Sequence, residues 1–316
     1  MKTESGDVIR FIKKGSIFLL ALFLLDFLIG MGISGLFSKQ KGGQIYQTTM
    51  GLESVHTDVL VFGASNASHH YVPSVFRDSL GMSFFNLGRD GMDILYGKAI
   101  FNGIVRRYCP KIIIINLSPT ELSTDLSYDR LSPLLPYYRT HPEIKEIVSL
   151  RSRFEHVKLF SRLYPFNSLF FTVVKGSMKS SNERTDNGYI PLYGELSVDA
   201  IPKKPIDNNP VVDTNRVNIL TSFIRESLQK KIRVYLVISP YFRYHHNPTA
   251  SLRIIDSIAS AFHVRVFDHL YDERFAGHAE LFKDNSHMNN TGATIFSSVV
   301  SGQIRESIRK RIKILP

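Results

Sequence analysis

The chain has 316 residues, and its 39 Lys and Arg against 28 Asp and Glu give a formal net charge of +11. Hydrophobic residues at 43% and charged residues at 21% exclude a disordered or collagen-like chain, and the length suits one large domain or two small ones. The single cysteine, Cys109, excludes an intrachain disulfide framework and a Cys-rich zinc module. The basic charge permits contact with anionic lipid, nucleic acid or acidic glycans without selecting among them.

An apolar run near the N-terminus predicts a membrane-spanning helix. Residues 17–37 read IFLLALFLLDFLIGMGISGLF, and a spanning helix needs about 20 mostly apolar residues. Only Asp26 interrupts the run, and a carboxylate there is either a helix–helix contact point or a flaw in the assignment. The alternatives are a buried core helix and a cleaved signal peptide, although no A-x-A cleavage site follows the run.

The charges around this run indicate its orientation. Three basic residues precede it, which favours a cytoplasmic N-terminus: Arg10, Lys13 and Lys14. We therefore predict a cytoplasmic segment over 1–15, a single-pass anchor over 16–38, and a domain over 45–316 on the extracytoplasmic side of a bacterial inner membrane.

Strand and helix patterns alternate through the rest of the chain. Short apolar runs predict five strands, at 57–63, 83–88, 111–117, 232–239 and 264–267. Helical spacing separates or follows them at 66–80, 91–108, 213–230, 249–261 and 291–313. Continuous apolar strands are typical of a parallel sheet covered on both faces, so we predict a three-layer α/β/α fold. Ligands in such sheets bind beyond the carboxyl ends of the strands.

One segment interrupts this alternation. Residues 122–215 separate the third and fourth strands, and we predict a mostly helical insertion there rather than a separate domain. An amphipathic helix is expected near 142–163, with one apolar stripe formed by Ile144, Ile147, Val148, Phe154 and Val157. The insertion either shapes or covers the active face, or is a surface excursion.

Three short blocks place reactive side chains at the strand ends. Ser65 follows the first strand in Gly63-Ala64-Ser65, where a helix N-terminus favours negative charge; a simple N-cap is the alternative. Gly88 follows the second strand and can present its N–H to an oxyanion, or it is a turn glycine. Asp284 and His287 precede the last helix, at a spacing that lets a carboxylate orient an imidazole; an ordinary cap beside a surface histidine is the alternative.

Together these blocks resemble the SGNH/GDSL hydrolase superfamily, across roughly residues 57–120 and 211–313. The resemblance implies a flavodoxin-like fold with a five-stranded parallel sheet in the order 2-1-3-4-5. It implies that Ser65 supplies the nucleophile and one oxyanion N–H, and that Gly88 supplies a second N–H. It implies that Asp284 and His287 are the acid and the base.

Two departures from the superfamily pattern are visible. The usual G-D-S is G-A-S here, closer to the G-S-S of membrane-anchored relatives such as the D-alanyl transfer protein of teichoic acid assembly and the alginate O-acetyltransferases. The usual G-x-N-D after the third strand is replaced by NLSPTEL. The third oxyanion donor is therefore assigned to Thr120 or Asn116. We add Asn66, His69 and Arg89 as candidate substrate-binding residues.

These patterns predict an esterase or acylhydrolase that acts on an ester-linked acyl group, such as acetyl, of an extracytoplasmic glycan or envelope polymer. The alternatives are an O-acyltransferase served by a membrane acyl-transfer partner, and a non-catalytic glycan-binding or assembly protein. An α/β-hydrolase also has the order Ser, acid, His, but its serine follows a later strand. We predict no cofactor, no metal site and no nucleic-acid partner, since phosphate-cradling motifs are absent and the four histidines His69, His70, His245 and His246 lack ligand spacing.

Overall fold

The computed structural model describes residues 2–178, 186–197, 211–244 and 248–312. The chain divides into two compact units. The first unit comprises Met1–Ile45 and Leu131–Asn182, and the second comprises Tyr46–Arg130 and Glu183–Pro316. The predicted insertion is therefore divided between them: its middle part, Leu131–Asn182, groups with the N-terminal helix, and the parts before and after it group with the sheet.

The first unit is built on one long helix, α1 (Lys2–Ser38), which contains the predicted span. Within the described residues, the Gly6–Ser38 part of α1 is the one helix long and apolar enough to cross a membrane. Most of its apolar side chains are exposed, and its buried stripe consists of Gly30, Ile33 and Phe37. This stripe packs on the insertion, where the Phe37 ring meets the rings of Tyr137 and Phe166 at 5.3 and 5.6 Å.

The insertion folds into short pieces rather than one long helix. It contains α6 (Lys145–Ser149), α7 (Glu155–Lys158) and α8 (Phe170–Met178), with 3-10 turns at Tyr128–Tyr137, Pro142–Ile144 and Tyr164–Phe166. The predicted helix over 142–163 is therefore wrong, because the chain breaks between α6 and α7. The predicted stripe also divides, since Ile144, Ile147 and Val148 are buried while Phe154 and Val157 are exposed.

The second unit contains a five-stranded, fully parallel sheet in the order β2-β1-β3-β4-β5, which confirms the predicted fold class. The strands are β1 (Val59–Phe62), β2 (Phe84–Asn86), β3 (Ile112–Leu117), β4 (Arg233–Ile238) and β5 (Arg265–Asp268). All six residues of β3 are buried, as expected for a central strand covered on both faces.

Helices cover both faces of this sheet. The helices of this unit are α2 (Gly43–Thr49), continued by a π turn at Met50–Ser54, α3 (Ser65–His70), α4 (Pro73–Leu80), α5 (Ile94–Val105), α9 (Thr214–Gln229), α10 (Ala250–Ala261) and α11 (Asn290–Ile312), with a 3-10 turn at Ala279–Leu281. On one face, α3, α4 and α11 pack together over a core that includes Phe76, Phe84 and Phe296. On the other, α5 and α9 pack together, and the Phe62 ring contacts Phe223 at 5.3 Å.

Local chemistry sets the helix starts. The predicted helix over 66–80 is two helices, because Pro73 lacks an N–H and begins α4 instead of continuing α3. Asp93 caps α5 by accepting hydrogen bonds from the N–H groups of Leu95 and Tyr96.

The turn after β2 lies directly against α3. A Cβ at Gly88 would overlap the Ser68 backbone nitrogen and lie 2.6 Å from the Ala67 Cβ. Only glycine therefore lets the two backbones approach this closely, whatever else its N–H does.

We expect Gly88→Ala to lower the free energy of unfolding by about 1–3 kcal/mol, the usual cost of overpacking. The matched control is Gly97→Ala in α5, where the nearest atom to a new Cβ is 3.6 Å away. Alanine in that helix should be neutral or stabilising by up to about 1 kcal/mol. Thermal unfolding of the purified full chain measures both, and equal midpoints for the two variants would contradict the close approach.

Candidate active site

The turn between β1 and α3 presents Ser65 at the carboxyl edge of the sheet. Gly63 follows β1, and a Cβ there would lie 2.7 Å from the Asn116 carbonyl oxygen. The chain can therefore pass this close to the end of β3 only as glycine. Ser65 is the first residue of α3, so its hydroxyl stands at a helix start above the sheet.

Ser65, His287 and Asp284 form a continuous hydrogen-bond chain. The Ser65 Oγ lies 2.6 Å from His287 Nε2, and His287 Nδ1 lies 2.8 Å from Asp284 Oδ2. A carboxylate only accepts hydrogen bonds, so Nδ1 carries the proton and donates it to Asp284. The Nε2 lone pair is then free to accept the Ser65 proton. This is the geometry that a serine nucleophile with a general base requires.

Asp284 is held as a carboxylate. Its partial burial acts to raise its pKa, but the hydrogen bond from His287 and those from the backbone N–H groups of Ser286 and His287 outweigh burial, and the pKa lies well below its usual range. The two N–H groups donate to Oδ1 at 2.9 Å, which leaves Oδ2 for the imidazole. The negative charge is therefore fixed where it stabilises an imidazolium at His287.

His70 supports the turn that carries the catalytic pair. Its Nε2 accepts a hydrogen bond from the Met288 N–H at 2.9 Å, one residue after His287. His70 is fully buried, and this burial, together with the nearby rings of His287 and His69, lowers its pKa well below the ordinary value. It is therefore a neutral histidine that holds the backbone next to the general base.

His69 differs from His70 both in its hydrogen-bond partners and in the direction of its pKa shift. Its Nδ1 lies 2.7 Å from the Ile190 carbonyl oxygen, and its Nε2 lies 3.2 Å from Asp90 Oδ1. Both partners are acceptors, and this favours the protonated form of the ring. Burial acts to lower the pKa of His69, but Asp90 and Ile190 together raise it above the ordinary value. The His69 ring centre lies 5.5 Å from that of His287.

The contact with Ile190 was not foreseen from the sequence. Ile190 lies in the last part of the insertion, and its own N–H also donates to the Ser68 carbonyl oxygen at 3.1 Å. A main-chain carbonyl leaves no mark in a side-chain pattern, so no motif could have indicated it. This part of the insertion nevertheless raises the pKa of a histidine near the candidate nucleophile.

The predicted oxyanion donors differ in whether the donor group already has a hydrogen-bond partner. The Gly88 N–H donates to Asn86 Oδ1 at 2.9 Å, so it is engaged within its own turn. Thr120 lies in the turn after β3, and no hydrogen bond of its hydroxyl is found within the described residues. The Ser65 N–H lies at the start of α3, where the first amides have no partner within the helix.

Asn116, a candidate oxyanion donor, lies inside β3. Its side-chain amide donates to the Tyr71 hydroxyl at 2.9 Å and to Ser239 Oγ at 2.7 Å. Tyr71 follows α3 and Ser239 follows β4, so the amide is engaged in a buried polar contact. Burial raises the pKa of Tyr71, although the hydrogen bond from Asn116 acts to lower it.

Arg89, a candidate substrate-binding residue, points away from solvent. Its side chain is buried, donates to Thr48 Oγ1, and has its guanidinium 5.5 Å from the Tyr96 ring centre. Asn66 is also buried but stays beside Ser65, where its side chain hydrogen-bonds Tyr241, whose pKa burial raises to about 12.

Within the described ranges, no group of three or more His, Cys, Asp or Glu could hold a metal ion. His245 and His246, weighed above as metal ligands, lie outside the described residues.

Comparisons with known proteins give only loose structural likenesses. No protein-family model matches the chain, and no curated protein matches it. A Streptococcus pneumonia protein, provisionally described as a platelet activating factor, has a TM-score of 0.42 and 11% identity over 89% of this chain and 97% of its own. A Desulfitobacterium hafniense DCB-2 protein, provisionally described as a lipolytic protein of the G-D-S-L family, has a TM-score of 0.35 and 10% identity over 77% of this chain and 98% of its own.

A third solved structure, a Bacteroides fragilis NCTC 9343 protein provisionally described as an acylhydrolase, has a TM-score of 0.39 and 13% identity over 86% of this chain and 99% of its own. At such identities and TM-scores these likenesses support no statement about the site or its reaction. The function is therefore argued from the geometry of Ser65, His287 and Asp284 alone.

The neutral state of His70 predicts a pH dependence of stability. Because its folded pKa lies below that of an unfolded histidine, the unfolded chain binds the extra proton, and acid favours unfolding. Between about pH 7.5 and about pH 5.5, His70 should cost about 1.4 kcal/mol of stability.

The variant His70→Gln keeps an acceptor for the Met288 N–H and should remove this part of the pH dependence, as measured by urea unfolding across the same range. His156→Gln, at an exposed histidine of α7, should leave it in place. The same pH slope in His70→Gln and wild type would mean that His70 is not buried in its neutral form.

Proposed function

We propose that the protein is a serine esterase or acylhydrolase that cleaves an ester-linked acyl group. The observation that carries this proposal is the unbroken hydrogen-bond chain from Ser65 through His287 to Asp284. A serine and a histidine at 2.6 Å are within the range of a nucleophile and its base, and the carboxylate fixes the tautomer that the base needs.

The reaction then follows from the positions of three side chains. Ser65 Oγ attacks the ester carbonyl carbon as its proton moves to His287 Nε2, and Asp284 stabilises the imidazolium. The Ser65 N–H donates to the oxyanion of the tetrahedral intermediate. His287 returns the proton to the leaving alcohol as the ester bond breaks, which leaves an acyl-Ser65. Water activated by His287 attacks this acyl group and releases the carboxylic acid with Ser65 restored.

The substrate we propose is an acylated glycan or envelope polymer outside the cytoplasm. Two features support this: α1 has the length and composition of a membrane anchor, and the basic residues before its apolar run favour a cytoplasmic N-terminus. The net charge of +11 also suits an acidic polymer. A sugar hydroxyl in place of water would make the same site an O-acyltransferase, with a membrane partner supplying the acyl group.

A non-catalytic role is favoured by one observation, the shortage of oxyanion donors. The Gly88 N–H is engaged by Asn86, and the Asn116 amide is spent in the core. Loss of one such donor costs about 10²–10³ in turnover in other serine enzymes. The protein would then use the fold to bind a glycan, and Ser65 would be dispensable.

We expect a fluorophosphonate probe to label the purified full chain at Ser65. Ser65→Ala and His287→Ala should both abolish labelling, whereas Ser74→Ala, a serine in α4, should leave it unchanged. A folded wild type that does not label would contradict the esterase and favour the non-catalytic role. With an acetylated sugar as substrate, free acetate indicates a hydrolase and acetylated acceptor indicates a transferase.

Asp284→Asn tests the role of the carboxylate separately. The amide cannot hold His287 in the required tautomer, so turnover of an acetyl ester should fall roughly 10³–10⁴-fold while KM changes little. Circular dichroism checks that the variant is folded. A loss of less than about tenfold would show that Asp284 does not orient the base.

A further inference from the structure

Asp26 in α1 is held by the insertion. Its carboxylate accepts hydrogen bonds from Ser161 Oγ at 2.5 Å, from the Arg162 N–H at 2.7 Å and from the Leu163 N–H at 3.3 Å. Four residues on, a Cβ at Gly30 would lie 2.5 Å from the Arg162 Cβ, so α1 and this turn touch along their backbones. The turn at 161–163 therefore lies beside the middle of the apolar run of α1.

The length of α1 places this contact at membrane depth. Only residues 15–25 lie between Lys14 and Asp26, and eleven helical residues span about 16 Å. The hydrocarbon core is about 30 Å thick. If Lys13 and Lys14 lie at one headgroup layer, the following 20 or so residues of α1, to about residue 34, cross the hydrocarbon core. The Asp26 and Gly30 contacts with the insertion fall within that stretch.

The side chains around this turn are arranged with apolar groups outside. Phe160 is 77% exposed and Phe171 is 83% exposed, and the other large apolar side chains exposed nearby are Phe154, Val157 and Phe170. These five residues are called the apolar set below. Glu155, in contrast, is 1% exposed. This is the reverse of a water-facing surface, where an acidic side chain is exposed and rings are buried.

The polar groups of the segment are satisfied internally. Glu155 binds Arg151, Lys158 and the Tyr164 hydroxyl. The Arg139 guanidinium donates to the carbonyl oxygens of Leu159, Phe160 and Ser161 at 2.5–3.4 Å, while Asp26 accepts from the N–H groups that follow. Non-helical backbone is tolerated at membrane depth only when its polar groups have partners within the protein.

We infer that the segment from Phe154 to Phe171 is a lipid-contacting surface that enters the leaflet at the C-terminal end of α1. The apolar set contacts the outer acyl chains, and the exposed cations Arg153, Lys158 and Arg162 contact anionic phospholipid headgroups. A bilayer is the occupant because α8, which carries Phe170 and Phe171 of the apolar set, packs on α1, whose apolar side chains are likewise exposed. The internal pairing also leaves the Asp26 carboxylate satisfied without a partner protein. The inference rests on the proposed membrane anchor and not on the esterase activity.

The test uses the full chain in nanodiscs of phosphatidylcholine and phosphatidylglycerol. With Cys109→Ser as background, the environment-sensitive fluorophore NBD is attached at Phe160→Cys or Phe171→Cys, both exposed positions whose substitution spares the core. Leu24→Cys in α1 reports whether the anchor is in lipid, and Asp78→Cys, an exposed position of the second unit, is the aqueous reference. Doxyl groups are placed near the lipid headgroup in one set of nanodiscs and near the end of the acyl chain in another, so that labels at the interface and at the bilayer centre are both quenched.

We expect NBD at positions 160 and 171 to be blue-shifted and quenched roughly two-fold relative to position 78. If NBD is quenched at position 24 but its signal at positions 160 and 171 equals that at position 78, α1 is in lipid and the proposed lipid-contacting surface is wrong. Lack of quenching at position 24 would overturn both, and fluorophosphonate labelling would still decide the esterase independently.

A photo-crosslinker in place of Phe160, used in native membranes, separates lipid from protein. Lipid adducts support the inference. Adducts with a membrane protein and none with lipid would overturn it in favour of a protein partner on the same surface.

Discussion

The close packing of α3 against the ends of three strands determines where the reactive serine lies. Two glycines permit it: a side chain at Gly63 would collide with the end of β3, and one at Gly88 would collide with α3 itself. With α3 seated in this way, Ser65 stands above β1, and the turn that carries His287 can reach it from the start of α11. The distances between the side chains of the site thus depend on backbone contacts at two glycines whose side chains could not take part in a reaction.

Around His287, three neighbouring groups have pKa values that are shifted in different ways. Burial alone would raise the pKa of Asp284, but hydrogen bonds lower it; the pKa of His69 is raised, and that of His70, next to it in the sequence, is lowered. The difference between the two histidines comes from their partners: His69 faces two acceptors, and His70 faces a donor. Because burial removes water as a competitor, each partner decides a protonation state that the sequence alone leaves open.

The sequence was most informative where the chemistry is local. The five strands could be predicted because short apolar runs mark them, and the candidate residues Ser65, Asp284 and His287 stand out in short motifs, whereas the strand order was implied by the resemblance those motifs carry. The direction of the Asn116 side chain could not be predicted. Because β3 is buried on both faces, its residues do not alternate between polar and apolar, and the pattern does not show which face of the sheet Asn116 takes. The proposed helix over 142–163 failed for a related reason. Apolar periodicity predicts which residues join a protein core, but Phe154 and Val157 are apolar and exposed.

The contact between Asp26 and the 161–163 turn also constrains how the chain is assembled. The two sites are separated by 135 residues and synthesis proceeds from the N-terminus, so under the proposed anchoring α1 enters the membrane long before its partner exists. During that interval the carboxylate has no internal donors, and an unpaired charge in hydrocarbon is costly unless it is protonated. Docking of the insertion on α1 is therefore a late step of biogenesis, in which a provisional membrane helix becomes part of a folded unit.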